Sequence, residues 1–260
     1  MKVAAQKQAA AILAELIRDG ETIAELPDYC RPITMAEGYR VQDRLVATLD
    51  LVMGGWKAGA TSPASQAKLG TKGPIAGRIV AGRLFTGDVT LPAMAYRLRG
   101  MEAEFAFRLK RDLPARATAY ERDEVLAAVG EVLPAVEVAD TRFSTGIAAG
   151  APNLVADLGL HGCFVLGAPI ARWRTVDLIA SGATMTIDNE RKGQGTGADV
   201  LGDPVASLVW LVNHARRHGG VTAGMVLPTG SMTGLVPAPA NGVAVADYGR
   251  FGRITVRFQG

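Results

Sequence analysis

Three carboxylates and one lysine carry the first sign of chemistry in this chain. Glu102 and Glu104 stand two residues apart in "GMEAEFAFRL", residues 100–109, a segment with the alternation of a strand. Successive strand side chains point to opposite faces. Both acids therefore share one face, about 7 Å apart, while Met101, Ala103 and Phe105 take the other. On a dry face the two charges repel, and a divalent cation between them removes the repulsion. A solvated strand face also carries a bare E-x-E, but a third acid weighs against that reading. Glu137 sits inside "VLPAVEVAD", a continuous apolar run in which an unpaired carboxylate is costly to bury. It calls for a cation, a proton or a metal. Three carboxylates with no His or Cys nearby in sequence make a hard, all-oxygen donor set, suited to Mg²⁺ or Mn²⁺. Lys57, beside Trp56 in "GGWKAGATS", is the complementary group. Such a lysine suits a substrate carboxylate or proton transfer; the plainer reading is a strand-end lysine that reaches solvent.

The elements that must position these groups are legible in outline. In the first helix Ile12, Leu13, Leu16 and Ile17 form one stripe and Gly20 supplies the stop. Thr34 and Glu37 form a capping box for a second helix ending near Leu49. Ser62-Pro63 opens a short third helix that Gly70 closes. From about Gly77 short apolar runs alternate with Gly, Pro and Asp turns. One helix interrupts them, with Thr118 and Glu121 as capping box and Val125, Val129 and Val132 on one face. "CFVLG", "ATMTIDNERKGQG" and "GRITVRFQG" add strands, and Asp203-Pro204 starts a helix running to about His218. The expected fold class is α+β. A helical N-terminal part, residues 1–76, leads into a mixed, largely antiparallel β domain, residues 77–260, the two forming one compact unit.

Composition narrows the function. The 260 residues suffice for a sizeable core. A net charge of +3, with no basic run interleaved with aromatics, argues against nucleic acid and suits a small anionic substrate. No apolar run approaches the roughly 20 residues of a membrane span. The N-terminus reads as an amphipathic helix, not a signal peptide. Cys30 and Cys163 stand far apart in no metal-like spacing, which points to a reduced, cytoplasmic setting. Other patterns fall short. "HARRH", with His214 and His218, lacks the Glu of a zinc-protease helix. "KGQGTGADVLG" lacks dinucleotide-loop spacing, and "TGSMTG" is not a nucleophile elbow.

Five motifs occur in one order: "GGWKAGATS", "MEAEFAFRLKRDLP", "VLPAVEVADTR", "VLGDPVASLVWLVNH" and "LPTGSMTG". In that order the chain resembles the fumarylacetoacetate hydrolase superfamily over nearly its whole length. Within it the resemblance is to the branch of 2-keto-4-pentenoate hydratases and 4-oxalocrotonate decarboxylases of aromatic-compound degradation. The resemblance implies a mixed β roll, Mg²⁺ or Mn²⁺ on Glu102, Glu104 and Glu137, an active-site Lys57, a substrate pocket reaching Thr229 and Gly230, and a homo-oligomer. It implies a metal-dependent hydratase of a 2-hydroxy-2,4-dienoate or 2-oxo-4-enoate, a lyase. The alternatives are a 4-oxalocrotonate-type decarboxylase, an acylpyruvate hydrolase, or a repurposed non-catalytic binder of metal and oxo acid.

The chain departs from that pattern on the side away from the metal. Ile75, in "GPIAG", stands where hydratases of the branch carry an Asp, which tilts the reading toward decarboxylation. Leu158 and Leu160 replace a polar pair in "ADLGLHG", and Met225 replaces an acid. The expectation is a more apolar pocket, with Ile75 against the substrate and His161 as an alternative proton source; a structural His161 is the plainer reading. "DTRFSTGIAAGAPNLVAD" reads either as a lid or as an ordinary surface loop.

Overall fold

Helix-terminating residues act where the sequence places them. Gly20 caps α1 (Val3–Asp19) in a left-handed conformation, φ 69°. The Thr34–Glu37 capping box opens α2 (Met35–Thr48), and Ser62 with Pro63 opens α3 (Pro63–Leu69). These elements come from a computed structural model that describes all 260 residues. The remaining helices are α4 (Arg122–Ala128), α5 (Ala151–Ala156) and α6 (Pro204–Ala215). The strands are β1 (Met53–Gly59), β2 (Ile75–Val80), β3 (Leu84–Thr86), β4 (Val89–Pro92), β5 (Gly100–Leu109), β6 (Leu113–Pro114), β7 (Val129–Ala139) and β8 (His161–Leu166). They continue with β9 (Gly182–Ile187), β10 (Glu190–Thr196), β11 (Gly220–Val221), β12 (Val226–Pro228), β13 (Val236–Pro237), β14 (Val243–Asp247) and β15 (Arg253–Gln259).

The larger sheet runs β2-β1-β12-β5-β7-β8-β3, with β13 also on β5. In it β1–β12 and β3–β8 are parallel and the other pairs antiparallel. A five-stranded sheet, β10-β9-β14-β15-β4, is antiparallel except at β15–β4. The fold is the expected mixed, largely antiparallel α+β architecture. One apolar core joins both sheets to α4 and α6, and a second packs α1 and α2 against Phe143, Leu154, Leu158 and Leu160. The 76/77 division falls inside β2, and β1 lies between β2 and β12. The first 76 residues thus contribute strand as well as helix to the larger sheet.

Three local expectations are corrected. The fourth helix opens on a Glu121–Glu124 capping box, not on Thr118 and Glu121. Val129 and Val132 belong to β7, where they face Leu109 and Phe107 of β5; cross-strand burial of β-branched residues overrides the helical spacing. Helix α6 ends at Ala215 rather than His218. The segment from Asp140 to Asp157 buries Asp140–Phe143 and most of α5, while residues 144–150 between them reach the surface. Its ends are tied together: Asp157 accepts from Thr141 Oγ1 (2.7 Å), Arg142 N (2.7 Å) and Arg142 Nε (2.6 Å). The alternating glycines of "KGQGTG" serve close packing. A Cβ on Gly195 would lie 1.9 Å from the Met232 carbonyl oxygen, and one on Gly197 2.0 Å from that of Leu178.

Candidate metal centre and active site

Strands β5 and β7 are neighbours within the larger sheet, and their register brings the acids together. Glu102 faces Glu137 directly across the ladder, and Glu104 lies two residues along on the same face. Each acid offers one oxygen, and these oxygens lie within 4.8 Å of one another. Glu104 and Glu137 are 1% and 0% exposed. Glu104 Oε2 accepts from Gly230 N at 2.8 Å. The Ser231 hydroxyl faces Glu102 and is buried without a hydrogen-bond partner.

Lys57 reaches this group from β1, two strands from β5. Its buried Nζ donates to Glu137 Oε1 (2.6 Å) and to the Gly159 carbonyl (3.0 Å). Glu137 Oε2 is buried without a partner. Burial raises all three acids above the ordinary carboxylate range, and Lys57 opposes that rise in each. For Glu104 the charges of Glu137 and Glu102 add to it. Burial disfavours the Lys57 ammonium, but the three acids outweigh it and raise the group. Counted formally with all four groups ionised, three carboxylates and one ammonium leave two negative charges, with Glu104 and Glu137 buried and Glu102 half-buried. A hard divalent cation fits both that charge and the unpartnered Glu137 oxygen.

The other expected site residues are placed as follows. Ile75 opens β2 opposite Gly59 and is 1% exposed. The point where a Gly59 Cβ would stand is 3.2 Å from Ile75 Cγ1 and 4.0 Å from Lys57 Nζ, so both side chains border the same spot over Gly59. Thr229 is fully buried, and its hydroxyl donates to the Phe105 carbonyl (3.0 Å). Its effect is to hold the next residue, Gly230, against Glu104. Gly230 has φ 112°, and a Cβ there would strike the Thr61 hydroxyl at 2.2 Å, so only glycine fits.

His161, the expected alternative proton source, is tied to the backbone through one ring nitrogen, while its Nδ1 is buried without a partner. It is 1% exposed, its Nε2 accepts from Val80 N (3.2 Å), and its ring stacks on Phe164. Burial, followed by the charges of Lys57, Arg83 and Arg142, pushes it well below the ordinary histidine range, so it stays neutral. Leu158 and Leu160 belong to the core beneath the helices, which corrects the expectation that they make the substrate pocket apolar. His214 and His218 form an aromatic cluster with Tyr39 and Trp56, and His218 Nδ1 lies 3.1 Å from Asp43.

Sequence reasoning misses the Gly159 carbonyl, Ser231 and Thr61. Gly159 contributes a backbone atom and has no side-chain signature. It sits between Leu158 and Leu160, all three at positive φ. The turn rests on Gly77, where a Cβ would meet the Leu158 carbonyl oxygen at 2.2 Å, and Gly77 is the cross-strand partner of Lys57.

No protein-family model matches the sequence. The chain is 31% identical over 261 residues to a 2-keto-4-pentenoate hydratase of Burkholderia vietnamiensis strain G4, covering 96% of this chain and 95% of that protein. It is 33% identical over 265 residues to a 4-oxalocrotonate decarboxylase of Pseudomonas sp. strain CF600, covering 95% and 92%. A solved 4-oxalocrotonate decarboxylase from Pseudomonas putida G7, complexed with magnesium and adipate, superposes with TM-score 0.89 at 26% identity. That match covers 100% of this chain and 99% of that one.

Proposed function

The chain belongs to the family of 2-keto-4-pentenoate hydratases and 4-oxalocrotonate decarboxylases, and from that premise we propose that it is a divalent-metal-dependent lyase that hydrates a 2-hydroxy-2,4-dienoate in aromatic-compound degradation. The observation that carries the reading is the convergence of Glu102, Glu104 and Glu137 on one buried point, with Lys57 against them. Those three acids would hold Mg²⁺ or Mn²⁺. When bound, the cation supplies Lewis-acid stabilisation of negative charge developing at a 2-oxo oxygen.

The chain's own residues do the rest. Lys57 Nζ, steadied by Glu137 and the Gly159 carbonyl, offers positive charge to a substrate carboxylate and a proton to give or take. Gly230 N–H orients Glu104. Ile75, buried at the start of β2, borders the same spot over Gly59 as Lys57 Nζ and brings only apolar surface to it. The substrate partner is a small 2-oxo acid. A homo-oligomer and a cytoplasmic setting belong to the same proposal; no helix is long and apolar enough to cross a membrane.

Decarboxylation of a 4-oxalocrotonate-type acid is the second reading, and the placement of Ile75 favours it. Hydration needs a group that handles the proton of the incoming water. Ile75 supplies none, and His161 Nε2 already accepts from Val80 N. The test is turnover with Mg²⁺. Loss of diene absorbance from 2-hydroxypenta-2,4-dienoate without CO₂ establishes the hydratase. Release of CO₂ from 4-oxalocrotonate establishes the decarboxylase. Inertness to both, with metal binding intact, refutes both and leaves a different oxo acid, an acylpyruvate included, or a repurposed binder.

A further inference from the structure

The carboxylates are set by their strands, and the β5–β7 ladder carries an additional polar group behind them. Met232 N donates to the Ala103 carbonyl (2.9 Å) and Thr229 N to that of Phe105 (3.1 Å). The polar groups of Ala103 and Phe105 therefore point away from β7. By the alternation of an antiparallel ladder, those of Glu102 and Glu104 point toward it, Glu102 against Glu137 and Glu104 against Ala135. The Tyr248 hydroxyl sits on the second of these rungs. It accepts from Glu104 N (3.2 Å) and donates to the Ala135 carbonyl (2.5 Å).

Tyr248 is itself held firmly. It follows β14, is 2% exposed, and its N–H donates to the Gly252 carbonyl (2.9 Å) in a closed turn. Its ring lies 6.1 Å, centroid to centroid, from that of Phe105. Phe105 faces away from Glu102 and Glu104, so the hydroxyl meets the rung from the reverse side of the sheet.

We propose that the Tyr248 hydroxyl is a positioning group for the metal centre. By fixing the Glu104–Ala135 rung it sets the spacing between Glu104 on β5 and Glu137 on β7, two residues beyond Ala135. That spacing selects the size of cation the three acids accept. The proposal rests on the metal reading given above. Mg²⁺ demands near-ideal octahedral geometry at about 2.0–2.1 Å, whereas Ca²⁺ tolerates about 2.3–2.6 Å and irregular coordination. A rung that relaxes therefore harms Mg²⁺ more than Ca²⁺, and a packing variant that leaves the rung intact separates this from general loosening of the fold.

The experiment is calorimetric titration of Mg²⁺ and of Ca²⁺ into the full chain and two variants, each checked for folding by circular dichroism. Tyr248→Phe keeps the ring and removes the hydroxyl. Phe251→Leu disturbs packing on the same Phe105 ring, 6.4 Å away, and touches no rung. Tyr248→Phe is expected to weaken Mg²⁺ by about tenfold and Ca²⁺ by less than about threefold, with the ratio unchanged in Phe251→Leu. If Tyr248→Phe does not fold, 3,5-difluorotyrosine in place of Tyr248, a stronger donor to the Ala135 carbonyl and a poorer acceptor from Glu104 N, is expected to change the ratio from the parent's. An unchanged Mg²⁺/Ca²⁺ ratio, or the same shift in Phe251→Leu, overturns this proposal alone. A parent chain that binds neither ion overturns the metal reading and this proposal with it.

Discussion

Asp157 and Arg142 are buried almost as deeply as Glu137 and Lys57, at 0% and 7% exposed against 0% and 2%. Both pairs are close, 2.6 Å between charged atoms. The first pair is closed. Both Asp157 oxygens have partners and the two formal charges cancel. The second is open. Glu137 keeps one oxygen unpartnered, and Glu102 and Glu104 add charge that Lys57 does not balance. Burial alone thus does not mark a site. A buried charge that its own chain leaves uncompensated does, because something from outside must complete it.

The sharpest way to break this contrast is to neutralise one acid of the open cluster. Glu102→Gln or Glu137→Gln is expected to lower turnover by at least about a thousandfold, measured as kcat with saturating Mg²⁺. A mild loss would mean that the acids are a remnant. The matching change in the closed pair should move stability instead. Arg142→Met leaves Asp157 buried and unpaired. It is expected to cost about 3–5 kcal/mol in urea unfolding, while a folded sample still binds Mn²⁺ as the parent does.

His214 shows a third way to bury an ionisable group, by staying neutral. Burial, then the charges of His218 and Arg217, push it down to about 3. The folded state thus resists a proton that the unfolded chain accepts near pH 6.5. The stability this gives is present above about pH 6.5 and is lost as pH falls toward 3. Between about pH 6.5 and 4 the loss is on the order of 3 kcal/mol. Urea midpoints between pH 7 and 4 should fall more steeply for the parent than for His214→Phe, and parallel curves would contradict this.

The smallest expected effect concerns reaction choice. Ile75→Asp places a carboxylate at the start of β2, opposite Gly59, and should raise the ratio of hydration to decarboxylation by about tenfold. A ratio that does not move would remove position 75 from the account of specificity.

What the sequence made legible was local. Gly20, the Thr34–Glu37 box and Ser62-Pro63 act through their immediate neighbours, and they end or start helices as expected. Glu102 and Glu104 share a face because a strand alternates, and Glu137 stood out because its run is apolar. The misreadings involve contacts across long stretches of chain. Val129 and Val132 had helical spacing, but β5 captured them into β7. His161 had a suitable ordinary pKa, but Val80, 81 residues earlier, claims its Nε2. Asp157 and Tyr248 had no local pattern at all. Their partners are Arg142, 15 residues away, and Glu104 and Ala135, 144 and 113 residues away.

The central claim is that the open cluster is completed by a divalent cation, and Mn²⁺ titration followed by electron paramagnetic resonance tests it most directly. The account predicts one bound Mn²⁺ per parent chain. It predicts that Glu137→Gln weakens binding by more than the roughly 10–100-fold that loss of a supporting residue costs. Equal Mn²⁺ affinity in parent and Glu137→Gln would contradict it.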